Sequence, residues 1–471
     1  MSTVEELRAA VAAGGVHTLS AASFLLDEPL IASRDLTLVG SGTTVTTGRG
    51  AGAPASVLRV RWATAGLIVV EGASVRIEGV HLDGVVSGTF SSDGTRDHGD
   101  GLDLIRVLHG RLEVVGSHLT RARLGPPDSE KVYGRGSAIY VAGASTARVV
   151  DSVFSDNQLA ALEAICSASL EVTDSRLAGN LNGVFAEGTV QLALHGNAFQ
   201  DHTGSALILR GATVATISGN TLSGNGSSPD TGRPGADGVR IGDRAVVELS
   251  DNRFDGSPRY AVSIYGSARV TSVDNLFANS GGYIETDGFE RSALLVEDDA
   301  VMFSSGDAFV ENPGGGIEVF GNAHLELTNA EIRRNGSFAS MYLGDAATAL
   351  LIEVVVTDND GSVTVVDSAH LTVRGGSYAT SNTDAIYVAG FASLTLSGAE
   401  LRNNRGFGVS VSDSASAEVD QAVVAGNRGG ITFLDGAQGS VTNSRFMGNT
   451  AGRALVYRLD ADVTVEGNVV E

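Results

Sequence analysis

The sequence predicts an all-β solenoid, a parallel β-helix of about 16 coils with a short N-terminal α-helix over its first coil. Two periodic columns predict the coils. An apolar anchor recurs from Leu82, Leu119 and Phe154 to Ile332, Phe446 and Val470, mostly every 22 to 24 residues. Fifteen residues before each anchor stands a second apolar residue, among them Leu67, Leu104, Ile139, Ile317, Ile386, Ile431 and Leu455. In a chain that is 42% apolar, chance fills all sixteen positions of that column about once in a million.

Within each repeat the apolar alternation has period two, as in "IEVFGNAHLELTNAEIRRN" after Gly316. Period two marks strands. Three short strands per repeat, each paired with its equivalent one coil away at about 4.8 Å, make the core continuous and give a rod of about 75 Å. Asparagine stands three residues after the anchor at Asn157, Asn180, Asn225, Asn312, Asn335, Asn359, Asn404, Asn427 and Asn449. One register for all of them predicts a ladder of stacked amides at a turn that tolerates left-handed backbone.

At the N-terminus, Ser2 with Glu5 and Thr3 with Glu6 each fit a capping box, and Val4, Leu7, Ala10 and Val11 form an apolar stripe before Gly14. The organisation expected is a capping helix over 1–14 and one β-helix domain over 15–471. The sequence stops within a repeat, so the last coil is expected to expose strand edge and recruit a protein partner or a second copy.

Composition limits the partners. The net charge is −23, from 32 basic and 55 acidic residues. No basic run offsets it, so nucleic acid and anionic membranes are disfavoured. Cys166 is the single cysteine. It lies in the apolar stretch "LEAICSASLEV", which reads as core. Without a basic, apolar leader, the expected compartment is the cytoplasm, with non-classical export the other route.

The repeat resembles the right-handed parallel β-helices of the pectate-lyase-like superfamily, over about residues 30–471. That resemblance implies a right-handed coil and a functional face on the first strand of each coil, overhung by loops. Four turns are long, 83–103, 120–138, 223–238 and 278–293, all at one corner of the repeat. The superfamily holds polysaccharide lyases, hydrolases and epimerases, and also spikes, adhesins and modules without chemistry. The hydrolase motif order is absent: Asn382-Thr383-Asp384 follows Asp298-Asp299, and there is no Gly-His-Gly.

Candidate residues cluster under the first two loops. Asp103, Tyr140 and Glu163 are the candidate catalytic groups, with Asp103 facing outward in preference to a buried Arg106. Asp103 and Glu163 would lie two coils apart, about 9–10 Å, at the upper edge for an inverting carboxylate pair. Phe185, Arg240, Lys131 and Tyr133 are the candidate substrate contacts. Asp97, Asp100 and Asp103 suit Ca²⁺ through oxygen ligands, although the pattern demands no cofactor. The plain alternative is a polar loop over an inert face. Two functions follow: a non-catalytic scaffold or interaction rod, or a carbohydrate-active lyase or hydrolase working under loops 83–103 and 120–138. A glycan on the first-strand face fits either.

Overall fold

The structure, a computed structural model, describes residues 1, 3–20, 23–26, 28–47, 66–84, 103–122, 136–226, 236–284, 290–336, 339–450, 455–457 and 461–471. The chain is an all-β parallel solenoid of about 16 turns with one short N-terminal helix. It divides into two compact units, Met1–Thr231 and Gly232–Glu471.

A typical coil is built from Ile317–Val319, His324–Thr328 and Glu331–Arg333. Each strand pairs in parallel with its equivalents in the coils before and after, as Ile317 does with Leu294 and Met341. Alternate residues of each strand enter the core, so Ile317, Val319, Leu325, Leu327 and Ile332 are fully buried. The anchors stack on one another: the rings of Phe254, Phe277 and Phe309 succeed each other at 4.9 and 4.6 Å, nearly parallel.

The asparagine ladder is present and buried. Asn312 donates through its backbone N–H and its Nδ2 to Asn335 Oδ1 (3.0 and 2.9 Å), and Asn335 does the same to Asn359 (2.9 and 3.1 Å). Each Nδ2 also reaches the carbonyl of an anchor one coil back, as Asn335 does with Phe309 (3.0 Å). The left-handed residue is not the asparagine, as expected, but the one before it: Asp156, Asp358 and Asn403 have φ of 58°, 57° and 56°. The amide must point into the core to stack, and the tight bend falls on the preceding position. A second ladder, unanticipated, runs one turn earlier through Ser152, Ser175, Asn197 and Asn220.

Helix α1 (Val4–Ala13) caps the first unit. Thr3 and Glu6 form the reciprocal capping box, and Leu7, Ala10 and Val11 are the buried face. In the last coil, Val465, Val469 and Val470 are exposed, so Val470 keeps its register beside Phe446 without entering a core. Cys166 is exposed at a left-handed turn (φ 64°) closing its strand, not in the core.

The first column needs a correction of one residue at its start. Ile68 and Ile105, not Leu67 and Leu104, lie in register with Ile139. Ser74, Arg111 and Thr146 are in register on the next strand, so the turn before them is one residue shorter in the first two of these coils. The outward row therefore contains Val69, Arg106, Tyr140, Glu163 and Phe185.

Candidate functional site

The first-strand face carries two groups of polar side chains, one in each unit. All four predicted long turns join the third strand of one coil to the first strand of the next. At each return, the residue two before the core position is Asp103, Ser137, Asp237 or Ser292. Each of these locks the returning strand to a neighbouring coil. Asp103 Oδ1 accepts from Gly136 and Ser137 N–H, both at 3.0 Å. Ser137 Oγ donates to Glu163 Oε2 at 2.5 Å. Ser263 Oγ donates to Asp237 Oδ2 at 2.7 Å. Ser292 N–H donates to Glu318 Oε1 at 2.9 Å. Three of these contacts join residues 26 apart, which is one coil plus the offset from the −2 position to the outward row.

In the first unit the predicted residues do converge. Asp103, Tyr140 and Glu163 are buried around Ser137, with Phe185 beside Glu163. Asp103 does not face outward, however. Arg106 takes the outward row, covered and fully buried, with its guanidinium 5.0 Å from the Tyr140 ring centroid and 4.0 Å from Asp103. A buried arginine is tolerated because a carboxylate and an aromatic face meet it. Burial, then the neighbouring Glu163, pushes the Tyr140 hydroxyl above its usual range. Both carboxylates of the proposed catalytic pair thus hold the chain. Lys131, Tyr133, Asp97 and Asp100 lie outside the described residues.

The second unit holds a site that sequence reasoning did not assemble. A pocket of about 340 Å³ opens on the first-strand face, at the small end of ligand cavities. Its floor is the outward row, Arg240, Ser263 and Leu295. Arg259 and Arg291, each three residues before its strand's core position, flank it at one end of the strands. Tyr265, Glu297 and Phe320, each three residues after theirs, flank the other. Of these only Arg240 was a candidate from sequence.

Buried Asp237 organises the pocket. It accepts from Arg259 at 2.8 Å and Ser263 at 2.7 Å, with Arg240 Nε 3.7 Å away. Burial pushes its carboxyl up against the opposing pull of Arg259. Beside the pocket, next to Leu295 in the outward row, Glu318 accepts from Tyr260 Oη at 2.8 Å and from Ser292 N–H; burial raises its carboxyl too. The guanidinium of Arg240 lies 5.5 Å from the Tyr265 ring and that of Arg259 5.2 Å from the Tyr260 ring. Glu297 lines the pocket half-buried, its carboxyl raised by burial and then by Asp298 and Asp237. Among the described residues its carboxylate makes no hydrogen bond or ion pair.

Comparison with known proteins agrees with this architecture. The family described as "Right handed beta helix region" matches residues 129–280. The family described as "Periplasmic copper-binding protein (NosD)" matches residues 296–470. The chain is a right-handed parallel β-helix repeat protein, without assignment to a specific enzyme family. Among solved structures, the periplasmic alginate epimerase AlgG is similar at 11% identity, with 97% of this chain and 84% of that chain covered and a TM-score of 0.29. The Vag8–C1 inhibitor complex matches at 11% identity over 97% and 94%, TM-score 0.35. The Streptococcus pneumoniae surface protein and adhesin PfbA matches at 10% identity over 98% and 95%, TM-score 0.26. Likeness at this level carries no functional argument. No curated protein matches the chain.

One sequence expectation changes here. The cytoplasmic assignment is overturned: the family matched over residues 296–470 is described as periplasmic. That description points outside the cytoplasm. Copper is a property of that family's description; among the described residues no three His, Cys, Asp or Glu side chains are grouped to hold a metal ion. Of the three candidate Ca²⁺ ligands, the only described one, Asp103, caps two backbone N–H groups with its Oδ1.

Proposed function

We propose that this protein is a carbohydrate-binding β-helix scaffold, non-catalytic, with its ligand seated in the pocket of the Gly232–Glu471 unit. The observation that carries this reading is the pocket itself: a concave site of about 340 Å³ on the first-strand face. Its lining suits a sugar. Tyr265 and Phe320 supply ring faces against which the apolar face of a pyranose packs. Arg240, Ser263 and Glu297 supply polar groups for hydroxyls.

Binding is favoured over catalysis by the state of the carboxylates. Glycoside cleavage needs two carboxyl groups placed across the scissile bond. Asp237 is bonded to Arg259 and Ser263, and Glu318 to Tyr260 and Ser292. In the first unit, Asp103 and Glu163 both bond to Ser137. Each of these four carboxylates secures the fold, and Glu297 is the one acid lining the pocket that makes no such bond among the described residues.

A glycan array followed by titration calorimetry tests this reading. The wild type should bind a defined set of glycans. Arg240→Ala and Tyr265→Ala should abolish that binding with the circular dichroism spectrum unchanged, and no glycan should be shortened or epimerised on prolonged incubation. Binding that survives both substitutions would place the ligand elsewhere. Product formation would overturn the non-catalytic reading.

A further inference from the structure

Resting on the carbohydrate reading, we infer that the pocket selects a neutral sugar and excludes its uronate counterpart, with Glu297 as the specificity-determining residue. Asp237 neutralises Arg259 and lies 3.7 Å from Arg240. Glu318, beside Leu295 at the edge of the floor, feels the charge of Arg291. Three guanidinium groups therefore meet three carboxylates in and beside one cavity, Glu297 being the third. The site has no surplus positive charge to offer an anionic ligand, and the surrounding chain carries −23.

Glu297 then decides the chemistry of the ligand. It is the one pocket carboxylate that makes no hydrogen bond within the described residues, and it faces the same cavity as Tyr265 and Phe320. A carboxylate accepts two hydrogen bonds side by side, so its matching partner is a pair of adjacent hydroxyls on a ring stacked against those aromatics. An ammonium group is the other donor that could pair with it, but with three guanidinium groups already set against three carboxylates it would bring an unmatched charge into the cavity. A sugar carboxylate brought beside Glu297 meets a like charge in a partly desolvated cavity, where repulsion is poorly screened. Neutral, polyhydroxylated and ring-shaped is what remains.

The experiment is titration calorimetry on the full chain with matched trisaccharide pairs: glucose and glucuronate, galactose and galacturonate, mannose and mannuronate. For the preferred backbone, the neutral member should bind at least about tenfold tighter, the scale of one charge-assisted hydrogen bond. Glu297→Gln should lower affinity for the neutral sugar about tenfold and raise affinity for the uronate, opposite shifts that a merely misfolded pocket cannot give. Glu297→Asp, which keeps the charge, should weaken the neutral sugar and still exclude the uronate. Uronates bound as tightly as neutral sugars, with Arg240→Ala abolishing both, would overturn this inference and leave carbohydrate binding standing. No affinity for any of the six would overturn the carbohydrate reading and this inference with it.

Discussion

His202 sits in the asparagine ladder where every other coil near it uses an amide, and this makes the first unit acid-sensitive at one point. Asn180 N–H donates to His202 Nδ1 at 3.2 Å, and His202 N–H donates to Asn225 Oδ1 at 3.2 Å. The ring is fully buried, and within the described residues its Nε2 has no hydrogen-bond partner. Burial pushes its pKa down from 6.5 to about 4. Between those two values the unfolded chain holds a proton that the folded one refuses, so stability is full above pH 6.5 and is lost as pH falls toward 4. The whole gap corresponds to about 3 kcal/mol, of which about 2.5 kcal/mol is lost between pH 7 and pH 4.5. His202→Asn restores the amide and removes the titrating group. Urea unfolding of both proteins at pH 7 and pH 4.5 isolates the difference: the wild type should lose about 2.5 kcal/mol more than the variant on acidification. Equal losses, or an NMR titration placing the His202 ring near 6.5, would refute the reasoning.

Three further outcomes follow. Ile317, fully buried in the first-strand column, should cost about 2–5 kcal/mol as Ile317→Ala and more as Ile317→Asp, read from urea midpoints. Asn335→Ala leaves the backbone N–H and Nδ2 of Asn312 without their acceptor, which should cost about 2–4 kcal/mol and speed amide exchange at Asn312. The neutral-over-uronate preference should be complete above the raised pKa of Glu297 and fade as pH falls through it. Asp298 and Asp237 raise that pKa beyond the effect of burial, while Arg259 and Arg240 oppose them. Calorimetry at pH 7 and pH 4 reads the change, and a preference unaltered at pH 4 would exclude Glu297 as its origin.

The coil was legible in the sequence because each apolar position is repeated many times, so single exceptions could not hide the period. Errors arose where a position is not repeated. Arg106 looked unacceptable inward, and moving the register by two put Asp103 outside. The structure moves it by one, through a turn shortened by one residue, and lets Arg106 stay outward under cover. The pocket of the second unit was missed for a related reason. The outward row alone shows Arg240 between Ile208 and Ser263, with no acid in sight. The acids and aromatics arrive from −2 and +3, at Asp237, Tyr265 and Glu297, positions that belong to turns and vary from coil to coil. Arg240 and Arg291, at the ends of two long turns, with Arg259 in the coil between them, in a chain poor in basic residues, were the available signal.

The locks at Asp103, Ser137, Asp237 and Ser292 have a consequence for how such a chain varies. Each returning strand is fastened to a neighbouring coil by its own side-chain or backbone hydrogen bond, within three residues of re-entering the stack. What the excursion does before that point need not be transmitted to the coils beyond, because the register is reset at the lock. Loop closure itself becomes only slightly less favourable as a segment lengthens. The four segments therefore behave as exchangeable cassettes: their length and composition can be rewritten, by selection or by design, while the ladder beneath them is inherited unchanged.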